Sequence, residues 1–185
     1  RQTDDIRRIV DEFSKFARMP ELRRKNEDLS ALVGSAVSLQ QAGQPNVLIN
    51  LSQPKSPVIT SIDATLINQA VTNILKNAGE SIATRMQNPS TSNHDGIIEV
   101  SLKNKSESVV LNISDNGVGL PQDRSRLFEP YVTTREKGTG LGLAIVKKII
   151  EEHGGVLKLE DSAPFENTGI IGALISIELP KSKSL

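Results

Sequence analysis

The chain has 185 residues, 37% of them hydrophobic, with 22 basic and 22 acidic side chains and no cysteine. That length suits one moderate domain with an appendage, and the balanced charge leaves no basic excess to neutralise nucleic-acid phosphates. Without cysteine there are no disulfides or thiolate metal sites, and no apolar run reaches the ~18 residues of a membrane span.

The first predicted element is a helix over residues 4–18. Ile6, Ile9, Val10, Phe13, Phe16 and Ala17 share one face, and Arg7, Arg8, Asp11, Glu12 and Lys15 the other. Such a stripe must be buried against something, either its own domain or, the preferred reading, the rest of a helical bundle, within this chain or with another. Met19-Pro20 breaks this helix, and the charged stretch Glu21 to Asp28 reads as a linker. The chain opens at Arg1 in what reads as mid-helix, so it is expected to be a fragment of something longer.

Ser30 is placed to cap a helix from Ala31 to about Gln41, with Leu32, Val33, Ala36, Val37 and Leu39 inward. Val47, Ile49 and Leu51 alternate as a strand, and Ile59 to Ile62 reads as a short second one. Asp63 opens a long helix from Ala64 to about Met86. Ile67, Ala70, Val71, Ile74, Leu75, Ala78 and Ile82 fall on its broad apolar face. Gln69, Asn73, Asn77 and Glu80 form a polar stripe beside it. Asn73 and Asn77 are one turn apart, and asparagine is only a fair helix former, so their alignment asks for a reason. Amide oxygens are neutral, hard ligands that suit Mg²⁺ carried on nucleotide phosphates.

Residues 89–96 read as a loop containing His94. Ile97 to Lys103 and Ser108 to Ser114 form a predicted hairpin that delivers Asp115 at its end. Five of the thirteen glycines then fall in two clusters, Asp115-Asn116-Gly117-Val118-Gly119 and Gly138-Thr139-Gly140-Leu141-Gly142. The second opens a helix over residues 141–153, where exposed backbone N–H groups would receive an anion. A carboxylate at a strand end and amides at a helix start together suit a purine base with a phosphate chain. A dinucleotide fingerprint is excluded, because the glycines alternate and a polar loop precedes them. That loop, Pro121 to Lys137, carries Leu127-Phe128-Glu129-Pro130-Tyr131 and reads as a lid with an apolar anchor. His153-Gly154-Gly155 stops the helix, with His153 read as a C-terminal dipole partner. Val156 to Glu160 and Gly172 to Leu179 supply the last strands, and Lys181 to Leu185 a polar tail. The order suggests a two-layer α/β sandwich, with helices on one face of a mixed sheet.

The set Asn73-x-x-x-Asn77-Ala78, Asp115-x-Gly117-x-Gly119, Leu127-Phe128-Glu129-Pro130-Tyr131 and Gly138-x-Gly140-Leu141-Gly142-Leu143 resembles the N, G1, F and G2 boxes of sensor histidine kinases, whose catalytic domain has the Bergerat ATP-binding fold. The resemblance spans about residues 28–180, with residues 1–20 resembling the second helix of a dimerisation and phosphotransfer hairpin. It implies that Asp115 accepts from the adenine amino group, that Asn77 binds Mg²⁺ with Asn73 assisting, and that Gly117 and Gly119 let the backbone pass the base. Gly138, Thr139, Gly140, Leu141 and Gly142 would receive the phosphates, with Phe128 anchoring the lid. Lys76, Arg135 and Lys137 are candidates for phosphate charge compensation.

Three departures stand out. Glu80 occupies a position where many such kinases carry Lys. Gly172-Ala173-Leu174-Ile175 replaces a last strand that usually reads Gly-Thr-x-Phe, so a hydroxyl near the base is expected to be missing. No phospho-accepting His box is present; the acceptor is expected upstream of Arg1. The implied reading is a fragment that binds ATP·Mg²⁺ without autophosphorylating. In the intact protein it would phosphorylate a His that passes the group to the Asp of a response-regulator receiver domain. A homodimer through the first helix is implied, as are a soluble, cytoplasmic fragment and an intact protein anchored in the inner membrane. The competing readings are an ATPase of the same superfold, which would carry Glu at Asn73 as base, an anti-sigma serine kinase, and a non-catalytic dimerisation module.

Overall fold

The computed structural model describes residues 21–88, 95–124, 126–132, 139–166 and 168–181. The helix expected over residues 1–20 lies outside them, as do His94, Arg135, Lys137 and Gly138.

The strands are β1 (Lys25–Asp28), β2 (Val47–Ser52), β3 (Ile59–Ile62), β4 (Gly96–Asn104), β5 (Ser108–Asp115), β6 (Val156–Asp161) and β7 (Ala173–Pro180). Five form one mixed sheet in the order β2-β4-β5-β7-β6, with β2 parallel to β4 and the other neighbours antiparallel. The register lines up Leu51, Val100, Ile113, Ile175 and Leu159 in one row across all five strands. A second row runs Leu102, Leu111, Ile177 and Leu157. Such cross-strand apolar pairs stabilise the sheet and pin its register, because a one-residue slip would turn both rows to solvent.

Three helices, α1 (Leu29–Gly43), α2 (Ala64–Met86) and α3 (Gly142–Glu152), share that buried core. The fold is thus the expected two-layer sandwich. On α2 every residue of the predicted apolar face is buried, from Ile67 to Ile82. Asp63 caps α2 as expected, with its Oδ1 accepting the N–H groups of Thr65 and Leu66 at 3.1 and 3.2 Å.

Three local expectations are corrected. Half of the stretch read as a linker is strand β1, paired antiparallel with β3 from Lys25–Ile62 to Asp28–Ile59. Its side chains lack apolar alternation because the pairing rests on backbone groups at an exposed edge. The α1 cap is Asp28 rather than Ser30: Asp28 Oδ1 accepts from the N–H groups of Ser30 and Val58, both at 3.0 Å. One carboxylate therefore starts the helix and fastens the β3 approach. His153, expected as a charged dipole partner, is 2% exposed. Its Nε2 accepts the Asp63 N–H at 3.0 Å, so the ring proton sits on Nδ1, which donates to the Ile149 carbonyl at 2.7 Å. Burial, with Arg24 nearby, pushes its pKa below the ordinary value. A neutral imidazole thus clasps the end of α3 to the start of α2.

Candidate functional site

Strand β5 ends in Asp115, which is 5% exposed, and the chain turns there because Asp115 Oδ1 accepts the Gly117 N–H at 2.8 Å. Asn116 anchors the turn from below. It is fully buried: its Oδ1 accepts from Ile97 N–H at 2.9 Å, its Nδ2 donates to the Asp95 carbonyl at 2.8 Å, and its backbone N–H reaches the Ile97 carbonyl at 3.2 Å. From α2, the buried Ser81 hydroxyl accepts the Val118 N–H at 3.1 Å. Glycine is required at Gly117: an added Cβ would overlap the Ser81 hydroxyl outright and lie 2.7 Å from Asp115 Oδ1. Gly172, opening the last strand, is held by the Ser162 hydroxyl at 2.8 Å, and a Cβ there would overlap the Asp115 carbonyl. One bond thus orients the carboxylate itself, and the contacts of Asn116, Ser81 and Gly172 fix the turn that carries it.

The second glycine cluster sits at the start of α3. Leu141 is fully buried and occupies the cap position without a side-chain capping bond. Gly140 adopts φ +68 and its carbonyl accepts the Tyr131 N–H at 3.2 Å, which ties the Phe128–Tyr131 segment to the α3 entrance. Lys147, from the second turn of α3, places Nζ 5.1 Å from the Phe128 ring centroid, a cation–π contact. Asn77 lies against the α3 entrance: a Cβ on Gly142 would be 3.7 Å from Asn77 Nδ2. Asn73 is half-buried one turn earlier on the same helix, and Thr139 is half-buried ahead of Gly140.

So α2 joins the two clusters. Asn73, Asn77 and Ser81 recur every four residues along it, with Asn77 at the α3 entrance and Ser81 at the Asp115 turn. Lys76 does not point along this line; it is exposed and lies 4.0 Å from Glu80 on the solvent side. The i, i+4 pair satisfies the acidic departure at Glu80 locally. An open cleft of about 410 Å³ flanks the turn, lined by Thr84, Arg85, Asn88, Gly117, Val118 and Ile170. Gly117 is the only expected site residue among these. Arg85 is buried there and donates to the Asp95 carbonyl at 3.1 Å.

Three residues were missed in the sequence reading. Ser81 carried a usable signal, since it lies one turn beyond Asn77. Asn116 had none of its own, because its partners are nineteen to twenty-one positions away. Gly172 was noted only as a departure from Gly-Thr-x-Phe.

Comparison with known proteins follows the same lines. Residues 62–183 match the family described as histidine kinase-, DNA gyrase B- and HSP90-like ATPase. Nitrogen regulation protein NtrY of Azorhizobium caulinodans is 47% identical over 184 residues, which is 99% of this chain and 23% of that protein. A putative NtrY-like sensor histidine kinase of Rickettsia conorii is 37% identical, over 96% of this chain and 28% of that protein. The chain thus spans about a quarter of the length of these curated relatives. Among solved structures, the mycobacterial sensor histidine kinase MprB superposes with a TM-score of 0.70 at 26% identity, covering 88% of this chain and all of that one.

Proposed function

The chain belongs to the histidine kinase-, DNA gyrase B- and HSP90-like ATPase family, and from that premise we propose that it is the ATP·Mg²⁺-binding catalytic part of a two-component sensor histidine kinase. The observation that carries this reading is that one rigid helix, α2, spans from a fixed carboxylate, Asp115, to the uncapped start of α3. Asp115 accepts from the adenine amino group. The N–H groups around Gly140, Leu141 and Gly142 receive phosphate oxygens, aided by the positive end of the α3 dipole. Asn77, with Asn73 behind it, supplies neutral oxygen to the Mg²⁺ that arrives with the phosphates, a metal that keeps several waters and takes few protein ligands. Phe128 packs the lid over the site, and Lys137, Gly138 and Arg135 bring further donors and charge from the same loop.

Transfer to a side chain is favoured over hydrolysis by Asn73. An amide cannot take a proton from water, and α2's sole carboxylate, Glu80, lies beside Lys76 on the exposed face. Positioning and charge neutralisation are what phosphoryl transfer chiefly requires of a protein. In the whole protein the γ-phosphoryl group passes to a His outside this chain, then to the Asp of a receiver domain. By likeness to NtrY, that receiver is of the NtrX type, the pathway is nitrogen regulation, the protein is a homodimer through its N-terminal helix, and it is anchored in the inner membrane. Among the described residues no helix is long and apolar enough to cross a membrane.

Calorimetry with ATP and Mg²⁺ tests this on the 185-residue chain. Binding is expected, and Asp115→Asn should weaken it at least ~10-fold. The new amide donor would face the adenine amino group, and a hydrogen bond to a charged group is worth about 1.5–3 kcal/mol. Equal, negligible heats from both proteins would overturn the assignment.

A further inference from the structure

Resting on that nucleotide reading, we propose that Ser81 is a specificity-determining residue, whose hydroxyl donates to the adenine ring nitrogen N1 beside the amino group that Asp115 receives. Four observations support it. Ser81 is 7% exposed, on the face of α2 turned towards the Asp115 turn. Its Oγ accepts the Val118 N–H at 3.1 Å, which fixes the oxygen and leaves the O–H as the group's one donor. Among the described residues no acceptor receives that proton. This is unlike Ser38 and Thr84, helical hydroxyls that donate to carbonyls four residues back at 2.9 Å. Finally, the hydroxyl and the carboxylate both stand beside Gly117, where any side chain would collide with them. The point where a Gly117 Cβ would sit overlaps Ser81 Oγ and is 2.7 Å from Asp115 Oδ1.

A buried donor left without an acceptor costs stability unless something completes it. An acceptor carboxylate beside a donor hydroxyl is the complement of one base edge. Adenine presents its amino donor next to the N1 acceptor, whereas guanine presents a carbonyl acceptor next to an N1–H donor. On guanine the carboxylate would meet another acceptor, and the hydroxyl would lose the acceptor for its proton.

The test is a two-by-two comparison of affinities: wild type and Ser81→Ala, each with Mg²⁺-loaded ATP and 1-deaza-ATP, in which N1 is a C–H. Wild type should bind 1-deaza-ATP roughly fivefold more weakly, the span of one neutral hydrogen bond. Ser81→Ala should bind ATP roughly fivefold more weakly and no longer distinguish the two nucleotides. If Ser81 only props the Val118 turn, the variant loses equally for both and wild type treats them alike; that result overturns the proposal. The wild-type comparison needs no substitution, so equal binding of the two nucleotides by wild type overturns the proposal even if the variant folds poorly. A failure of the nucleotide reading itself looks different, because then neither nucleotide binds wild type.

Discussion

Replacing Gly140 by alanine isolates what the α3 entrance demands of its backbone. Two separate costs arise there. Gly140 holds φ +68, a region where a Cβ costs about 1 kcal/mol or more. The new methyl would also lie 2.6 Å from the Tyr131 carbonyl carbon, 2.7 Å from Val132 N and 2.8 Å from Tyr131 Cα. These are backbone atoms, so no rotamer change relieves them, and overpacking of this kind costs about 1–3 kcal/mol. The sum is about 2–4 kcal/mol, which for a chain of this size lowers Tm by about 4–15 °C. Two other glycines separate the terms. Gly169 has φ +64 with nothing within 4 Å of its Cβ position, so Gly169→Ala bears the strain alone, about 1 kcal/mol. Gly34 lies in α1 at an ordinary φ, with only Gln53 Nε2 at 3.7 Å, so Gly34→Ala should stabilise by up to about 1 kcal/mol through helix propensity. Thermal unfolding of the three variants should therefore rank Gly34→Ala above wild type, Gly169→Ala a few degrees below it and Gly140→Ala lowest. ATP affinity should fall only in the last. A Gly140→Ala melt within about 2 °C of Gly169→Ala would refute the overlap reasoning.

Asn116→Ala should cost about 2–3 kcal/mol by urea unfolding and also weaken ATP binding, because it strands the buried Ile97 N–H and frees the turn that holds Asp115; an unchanged ATP affinity would show that the turn holds itself. His153 makes stability depend on pH with a definite sign. Its folded pKa is depressed, chiefly by burial, so the unfolded chain binds the proton more readily: the stabilisation is complete above about pH 6.5 and is lost as pH falls towards the folded pKa. Melts between pH 7.5 and 5.5 should fall more steeply for wild type than for His153→Gln, and parallel slopes would sink the assignment of a neutral clasp.

How far the fold can be read from the chain depends on where each element's cause lies. Helix α2 and strands β4 and β5 are legible because the period of their apolar residues equals the geometry that buries them, and each faces one core. Strand β1 is not, since Lys25, Asn26, Glu27 and Asp28 contribute backbone pairing at an edge rather than a buried face. The α1 cap moved from Ser30 to Asp28 because two adequate capping residues stand two apart, and only the tertiary bond to Val58 chooses between them. His153 looked like a surface group on a helix end. Its partner Asp63 is ninety positions away, so nothing local announces its burial. The same rule separates the site residues. Asp115, Asn77 and the glycines declare themselves by local spacing, whereas Asn116 and Gly172 matter through strands that meet only after folding.

The site's two halves are therefore related by a ruler rather than by loops. Ser81 and Asn77 are one helical turn apart, so their separation along α2 is about 6 Å. The N-terminal end of that helix is clasped to α3 by His153, and its apolar face is seated on the sheet row through Val100 and Ile113. On the proposed reading, base end and phosphate end are thus both set by residues of one helix. A scaffold this rigid positions a nucleotide equally well for water or for a protein side chain, so fold alone does not select between them. The selection has to come from whether a proton acceptor stands on α2 next to the phosphates. Of the polar residues along α2, Asn73 cannot take a proton and Glu80 lies beside Lys76 on the exposed face. On the reading proposed above, α2 supplies no base beside the phosphates, so the nucleophile is activated from elsewhere.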